Sequence, residues 1–207
     1  MIILALIFSY FIGAIPTAYL FGKALKNIDI RQHGSGNVGA TNVFRVLGKG
    51  PGFTVLFLDI LKGVVAVALI PDLLGTAGVL SRVFCAVSVI CGHNWTVFLQ
   101  FKGGKGVATS LGVLIGLAMK IASIRIVLLV TLMTWIICFF ISRIVSLSSI
   151  VAAVVMPIMM LLTEQGTALV LLGAVFSIFI VIRHRPNIRR LWDGEEPKVP
   201  LSFGKKS

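Results

Sequence analysis

Long apolar runs alternate with short polar, glycine-rich segments along the whole chain. The runs fall at residues 2–22, 52–71, 82–100, 106–119, 122–142, 145–162 and 166–183. A helix needs about 20 apolar residues to cross a hydrocarbon core, so the pattern predicts seven spans. The run at 106–119 sits at the lower limit for crossing, and Pro16 should kink the first helix. The polar segments are 23–50, 101–106, 143–149 and 184–207. The predicted fold class is all-α: one polytopic membrane domain over residues 1–207, built from seven transmembrane helices.

Composition supports a membrane protein. Of 207 residues, 57% are hydrophobic and 13% are charged, about half the charge of a soluble domain. No basic stretch precedes the first run, which reads as a retained span instead of a removable signal. Cys85, Cys91 and Cys138 lie inside apolar runs without C-x-x-C spacing. They read as packing residues, with no disulfide and no metal. The tail beyond Glu196 carries Pro197, Pro200 and terminal lysines, which suggest a mobile end.

Charge sets the orientation. The formal net charge is +12, and no DNA- or RNA-binding motif accompanies it, so no nucleic-acid partner is expected. With seven spans, fifteen of the nineteen Lys and Arg residues fall on one side: five in 23–50, Lys102 and Lys105, Arg143, and seven from Arg183 onward. Arg82, Lys120 and Arg125 fall on the other, and Lys62 lies within a span. The positive-inside rule then places the C-terminus in the cytoplasm and the N-terminus outside. The unusual polar residues gather on the cytoplasmic face, whereas a transporter concentrates them near the midplane. Asp59 and Lys62, at i and i+3, can pair on one helical face as a structural unit.

Four polar segments carry candidate chemistry. In residues 33–47, Gly34, Gly36 and Gly39 match G-x-G-x-x-G formally, but no strand precedes them and no βαβ unit follows, so a dinucleotide site is excluded. Ser35, Asn37, Thr41 and Asn42 still offer hydrogen-bonding groups, and Arg45 can clamp a phosphate. Residues 102–106 (Lys-Gly-Gly-Lys-Gly) precede a helix, so glycine amides, the helix N-terminus and two lysines make an anion site. Neither lysine is followed by Ser or Thr, which excludes a Walker A loop. Ser146, Ser148 and Ser149 start the sixth span and read as N-cap candidates that can also donate to an anion. His184 and Asn187 follow the seventh span, where a histidine can act as a base or orient a hydroxyl. His33 and His93 read as structural.

These segments closely resemble the bacterial acyl-phosphate:glycerol-3-phosphate acyltransferase family of phospholipid synthesis. The resemblance runs through Gly34-Ser35-Gly36-Asn37, Gly39-Ala40-Thr41-Asn42 and Arg45. It continues through Gly92-His93-Asn94-Trp95, Phe101 to Thr109, and His184-Arg185-Pro186-Asn187-Ile188 with Arg190-Leu191. Asp59 to Gly63 and Ser146 to Ile150 are also similar. Thr96 stands where the family usually has proline, Gln100 where glycine is common, and Glu195 where threonine is usual. The resemblance implies transfer of a fatty acyl group from acyl phosphate to the sn-1 hydroxyl of glycerol 3-phosphate. The products are lysophosphatidic acid and inorganic phosphate; the setting is the bacterial inner membrane, and no cofactor is implied. It implies catalytic roles for Ser35, Arg45, Lys105, His184 and Asn187. Substrate binding is implied for Gly36, Asn37, Thr41, Asn42, Gly103, Gly104, Gly106, Ser148 and Ser149. The H-x-x-x-x-D signature of acyl-CoA and acyl-carrier-protein acyltransferases is absent: Val38, Phe98 and Arg189 stand five places after the three histidines. The competing classes are an organophosphate transporter and a non-catalytic lipid-binding protein.

Overall fold

The computed structural model describes residues 1–199, and the regular structure among them is helical. The helices are α1 (Ile2–Ala14), α2 (Thr17–Lys26), α3 (Ala40–Val46), α4 (Lys49–Val64), α5 (Ile70–Leu73), α6 (Val79–Asn94), α7 (Val107–Lys120), α8 (Ile124–Ser142), α9 (Val145–Leu162), α10 (Thr167–Arg183) and α11 (Arg185–Trp192). Residues 200–207, with Pro200 and the terminal lysines of the expected mobile end, lie outside the described residues.

Five stretches are long and apolar enough to cross a membrane: Ile2–Lys26, Lys49–Leu73, Val79–Leu99, Ile124–Ser142 and Val145–Leu162. Helix α10 reaches that length only together with α11, from which it is bent by 60°. Helix α7 has 14 residues, about 21 Å at 1.5 Å per residue. Length alone therefore supports five or six of the seven expected spans. Large apolar side chains such as Phe53, Phe140, Ile141 and Leu162 stand exposed on the outside, as a lipid-facing surface requires.

Pro16 ends α1 instead of merely bending it, because it has no N–H and its ring excludes the preceding turn. The carbonyls left free are taken up by distant side chains. Thr96 Oγ1 donates to the Ala14 carbonyl at 2.6 Å, and Lys62 Nζ donates to the Ile15 carbonyl at 2.6 Å. Thr96 thus does a specific task at its unusual position. The polar segment 23–50 is also more ordered than a loop. It carries the end of α2, a 3₁₀ turn at Ile30–Gln32 and helix α3.

Small residues let two helix pairs approach closely, as in membrane bundles generally. A Cβ at Gly13 would lie 2.1 Å from the Val89 carbonyl oxygen, and one at Gly92 would lie 2.1 Å from that of Tyr10, which locks α1 to α6. Gly63 and Gly112 do the same for α4 and α7, at 2.3 Å from Thr109 O and 1.9 Å from Ile60 O. Away from the polar segments, Asp72 joins three helices by accepting from Arg82 and, at 2.6 Å, from Lys120. Arg82 also donates at 2.7 Å to the Val67 carbonyl, where the helix widens into a π turn over Val65–Leu69.

Gly112→Val should therefore destabilise the protein by about 3 kcal/mol or more, the upper range of overpacking costs, because the displaced atom is backbone. Thermal unfolding in detergent micelles checks this; a transition within 2–3 °C of wild type, roughly the shift expected from a 1 kcal/mol change, would refute the close-packing account.

Candidate active site

The glycine segment folds back on the end of α6. The backbone turns at Gln100 and Phe101, with φ of 55° and 61°, so Gln100 holds the left-handed conformation for which glycine is the easier residue. The Gly103 N–H then donates to the Asn94 carbonyl and the Gly104 N–H to the His93 carbonyl, both at 3.1 Å. From the other side, Arg183 at the end of α10 donates to the Gly103 carbonyl at 2.7 Å and to the Gly104 carbonyl at 2.8 and 3.1 Å. A Cβ at Gly103 would lie 2.0 Å from the His93 carbonyl oxygen, and one at Gly104 would lie 2.2 Å from His93 Nε2. The amides of Gly103 and Gly104, expected to face a phosphate, are therefore committed to the backbone. These glycines permit close packing. Gly106, at φ 79°, starts α7 without a side-chain cap, which leaves first-turn amides of that helix available.

Lys105 is the centre of the charged cluster. Its ammonium donates to the Asn187 side-chain carbonyl. The Asn187 Nδ2 donates in turn to Glu196 Oε1 at 2.5 Å. Glu196 also accepts from Ser146 at 2.7 Å and from Arg190 at 2.7 Å. Burial and the charges of Arg190, Arg183 and Arg45 push the Lys105 pKa down to about 8, against a pull upward from Glu196. Burial tends to raise the Glu196 pKa, but hydrogen bonds from Ser146, Asn187 and Arg190 outweigh it and hold the carboxyl below its ordinary value. The Lys105 ammonium thus lies in the field of three arginines and one carboxylate, and Arg190 bonds that carboxylate directly.

His184 follows the last apolar turn of α10 and is buried. Its Nδ1 lies 2.7 Å from the Ile180 carbonyl. A carbonyl can only accept, so Nδ1 carries the proton and Nε2 holds the free lone pair. Burial and the Lys105 charge push its pKa down to about 4. At neutral pH it is an uncharged imidazole suited to accepting a hydrogen bond from a hydroxyl.

The first motif forms a tight loop. Gly34 and Gly36 adopt φ of 60° and 70°. Asn42 is fully buried; its Oδ1 accepts from the Ser35 N–H at 2.8 Å, and its Nδ2 donates to the Ile30 and His33 carbonyls at 3.2 and 3.0 Å. Its amide is used up holding the loop. The Gly36 N–H likewise donates to the His33 carbonyl at 3.0 Å. The loop presents the exposed Ser35 and Arg45 and the half-buried Asn37 and Thr41. It packs on the glycine segment at Val38, whose carbonyl oxygen lies 2.9 Å from a Cβ built on Gly104.

The serine run divides differently from expectation. Ile144, not a serine, caps α9. Ser148 donates to the Ile144 carbonyl at 2.9 Å, while Ser149 donates to Val145 and accepts from Trp135 at 3.1 Å. Their hydroxyls serve the bundle, and Ser146 is the one that reaches the cluster. Sequence reasoning named Ser146 among the possible anion donors but missed Arg183 and Glu196. Arg183 reads as one of a stop-transfer group, and Glu196 stands beside Asp193 and Glu195 in the tail with nothing to single it out.

Beneath the loops, Lys62 and Asp59 pair at 2.7 Å, and Thr17 donates to Asp59 at 2.6 Å. His93 Nδ1 lies 4.0 Å from the same carboxylate. This polar unit has the structural form expected of it, and His93 belongs to it.

A family model for glycerol-3-phosphate acyltransferase matches residues 3–194. A glycerol-3-phosphate acyltransferase of Gloeobacter violaceus is 45% identical over 193 residues, covering 92% of this chain and 91% of its own. One from Prochlorococcus marinus is 45% identical over 203 residues, covering 96% and 98%. Two crystal structures of PlsY (YgiH), an integral membrane glycerol 3-phosphate acyltransferase, are similar at 37% identity. Its glycerol 3-phosphate form has a TM-score of 0.87 and covers 96% of each chain; its lysophosphatidic acid form has 0.83, covering 96% and 95%.

The lowered Lys105 pKa sets a sign for anion binding. The ammonium is mostly charged at pH 7 and loses its proton as pH rises through about 8. Sulfate, which does not titrate in this range, should bind up to about tenfold more weakly at pH 9 than at pH 7. Lys105→Arg, charged throughout, should flatten the dependence. Calorimetric titration of the purified protein reads both, and an equal affinity for wild type at the two pH values would remove Lys105 from the anion site.

Proposed function

Because the chain belongs to the glycerol-3-phosphate acyltransferase family of integral membrane proteins, we propose that it transfers a fatty acyl group from acyl phosphate to the sn-1 hydroxyl of glycerol 3-phosphate. The observation that carries this reading is the Lys105 ammonium, held on Asn187 in the field of Arg190, Arg183, Arg45 and Glu196, with the free His184 Nε2 nearby. Two phosphorylated substrates need that density of positive charge to sit side by side.

In this mechanism Lys105 and Arg45 bind phosphate together with the first turn of α7, and Asn187 and Glu196 hold Lys105 in place. Ser35 and His184 align the glycerol hydroxyl. The hydroxyl oxygen attacks the acyl carbonyl carbon, the new ester C–O bond forms, and the bond from that carbon to the phosphate oxygen breaks. An imidazole with its pKa near 4 is a weak resting base. His184 therefore chiefly orients the hydroxyl, and the departing phosphate takes up the proton. Acyl phosphate is already activated, so no acyl-serine intermediate is invoked; Ser35, exposed on its loop, has no base paired with it in the manner nucleophilic catalysis requires. Gly36, Asn37 and Thr41 shape the loop at the substrate. Ser148 and Ser149 support the start of α9, and Asn42, Gly103 and Gly104 act through backbone geometry.

The reading includes seven crossings, with the N-terminus outside and the C-terminus and site facing the cytoplasm of the inner membrane. Two contacts support counting α7 as a crossing. It starts beside Asn187 and ends where Lys120 meets Asp72, remote from the cluster. Its burial inside the bundle lets a helix shorter than the core span it. The fifteen-to-three bias of basic residues then sets the sides.

Purified protein should make labelled lysophosphatidic acid from glycerol 3-phosphate and palmitoyl phosphate. Lys105→Ala and Arg45→Ala should each lower kcat/KM by about 10²- to 10³-fold, and His184→Ala should lower kcat by at least about 10²-fold, all with thermal unfolding near wild type. Product from palmitoyl-CoA alone would overturn the donor. Binding of glycerol 3-phosphate without product from either donor would favour a carrier.

A further inference from the structure

Helices α7, α9 and α10 all meet the charged cluster at one end, through Lys105 before α7, Ser146 at the start of α9 and His184 after α10. Below it, α9 and α10 pack on each other, whereas α7 packs against α4 and α8. Between α7 and the α9–α10 pair lies a narrow cleft, lined by Ser110 and Leu117 from α7, Met156 and Met160 from α9, and Gly173 and Phe176 from α10. These side chains are buried, and none of the lining residues is ionisable.

Two features make this more than a packing defect. Ser110 is only 7% exposed, and its hydroxyl has no hydrogen-bond partner among the described residues, although it stands one turn below Gly106 on the site side of the cleft. A buried hydroxyl without a partner calls for an explanation, and a polar ligand atom entering from the site supplies one. Below Ser110 the lining is apolar as far as Leu117, about 10 Å further along α7. There the width is set by an unusual pair: a Cβ at Gly173 would lie 2.7 Å from Met160 Sδ. A flexible thioether facing a residue with no side chain can swing and admit a chain.

We propose that this cleft receives the distal part of the acyl chain, and that Gly173 and Met160 determine the chain length accepted. The inference rests on the acyl-transfer reading above. The acyl carbonyl sits at the cluster, its methylenes pass Ser110, and the chain end meets Met160. A side chain at position 173 fills the space into which Met160 must move. Removing the Met160 thioether lengthens the cleft.

The test is kcat/KM for decanoyl, lauroyl, palmitoyl and stearoyl phosphate with wild type, Gly173→Ala, Gly173→Val and Met160→Ala. Gly173→Val should lower the palmitoyl-to-decanoyl ratio by at least about tenfold, the size of discrimination that small changes in an apolar pocket produce. Met160→Ala should raise the stearoyl-to-palmitoyl ratio several-fold. The KM for glycerol 3-phosphate should stay at the wild-type value in both. If Gly173→Val does not fold, Gly173→Ala and Met160→Ala carry the test. A uniform loss across all chain lengths, or an unchanged Met160→Ala ratio, would show that the cleft is only packing. Wild type active with acyl-CoA but not acyl phosphate would overturn the donor, and the length ratios would then be read from the thioester series. Wild type inactive with both would remove the acyl-transfer reading and this inference with it.

Discussion

The polar end of the bundle depends on holding a half-buried lysine charged beside three arginines. Burial disfavours the charge on Lys105, and Arg190, Arg183 and Arg45 each add to that cost. The structure offsets this with one carboxylate and a relay of neutral groups. Glu196 accepts from Ser146, Asn187 and Arg190, and Asn187 passes the favourable dipole on to Lys105. Glu196 comes from the segment after α11, so the last described part of the chain completes a cluster begun in the middle. That segment is pinned again where the Val199 N–H donates to the Arg143 carbonyl at 2.8 Å. Partial compensation leaves positive charge at this end, which suits the anionic substrates of the proposed reaction.

The same economy governs the backbone. Breaking α1 at Pro16 frees two carbonyls inside the bundle, where an unpaired acceptor is costly. Thr96 and Lys62 satisfy them, and Lys62 is itself neutralised by Asp59. The buried ion pair therefore has a local reason: Lys62 joins the Thr17 N–H on the Ile15 carbonyl where α1 ends, and its charge needs a partner. His93 then joins this unit to the glycine segment, with its ring near Asp59 and its carbonyl accepting from Gly104. Arg183 grips the same segment from α10. Lys105 thus projects from a strand of backbone held on both sides.

Hydrophobic length and glycine placement made most of this legible in the sequence. The apolar runs located the helices within a few residues, and α9 matches its run of 145–162. The i, i+3 spacing of Asp59 and Lys62 predicted their pairing. What could not be read is the direction in which a polar group points. Glycine amides look like phosphate donors in a sequence, yet Gly103 and Gly104 aim theirs at carbonyls of α6, because that helix ends beside them. Asn42 resembles a binding residue by type, but its neighbours Ile30 and His33 present carbonyls that claim it. Among three serines in four residues, helical phase alone decides that Ser146 reaches Glu196, while Ser148 and Ser149 turn back to their own helix. Long-range partners such as Glu196 leave only composition behind.

A division by depth follows from these constraints. Charge concentrates at one end of the bundle, and the interior below it is apolar apart from the Asp59–Lys62 unit and a few isolated hydroxyls such as those of Ser110 and Thr131. Helix α7 spans that division. Its N-terminus adjoins the charged cluster, its Gly112 face locks onto α4, and its Ser110 and Leu117 face an apolar cleft. A carrier must lead a polar ligand past the midplane, and the described residues between Ser110 and Leu117 along that cleft are apolar. The arrangement instead suits a ligand that is itself divided, with a charged head that stays at the surface and a hydrocarbon part that enters the bundle. A fatty acyl phosphate has that form. On the reading proposed above, transfer at the boundary leaves the product divided in the same way, with its phosphate at the polar end and its chain among the helices.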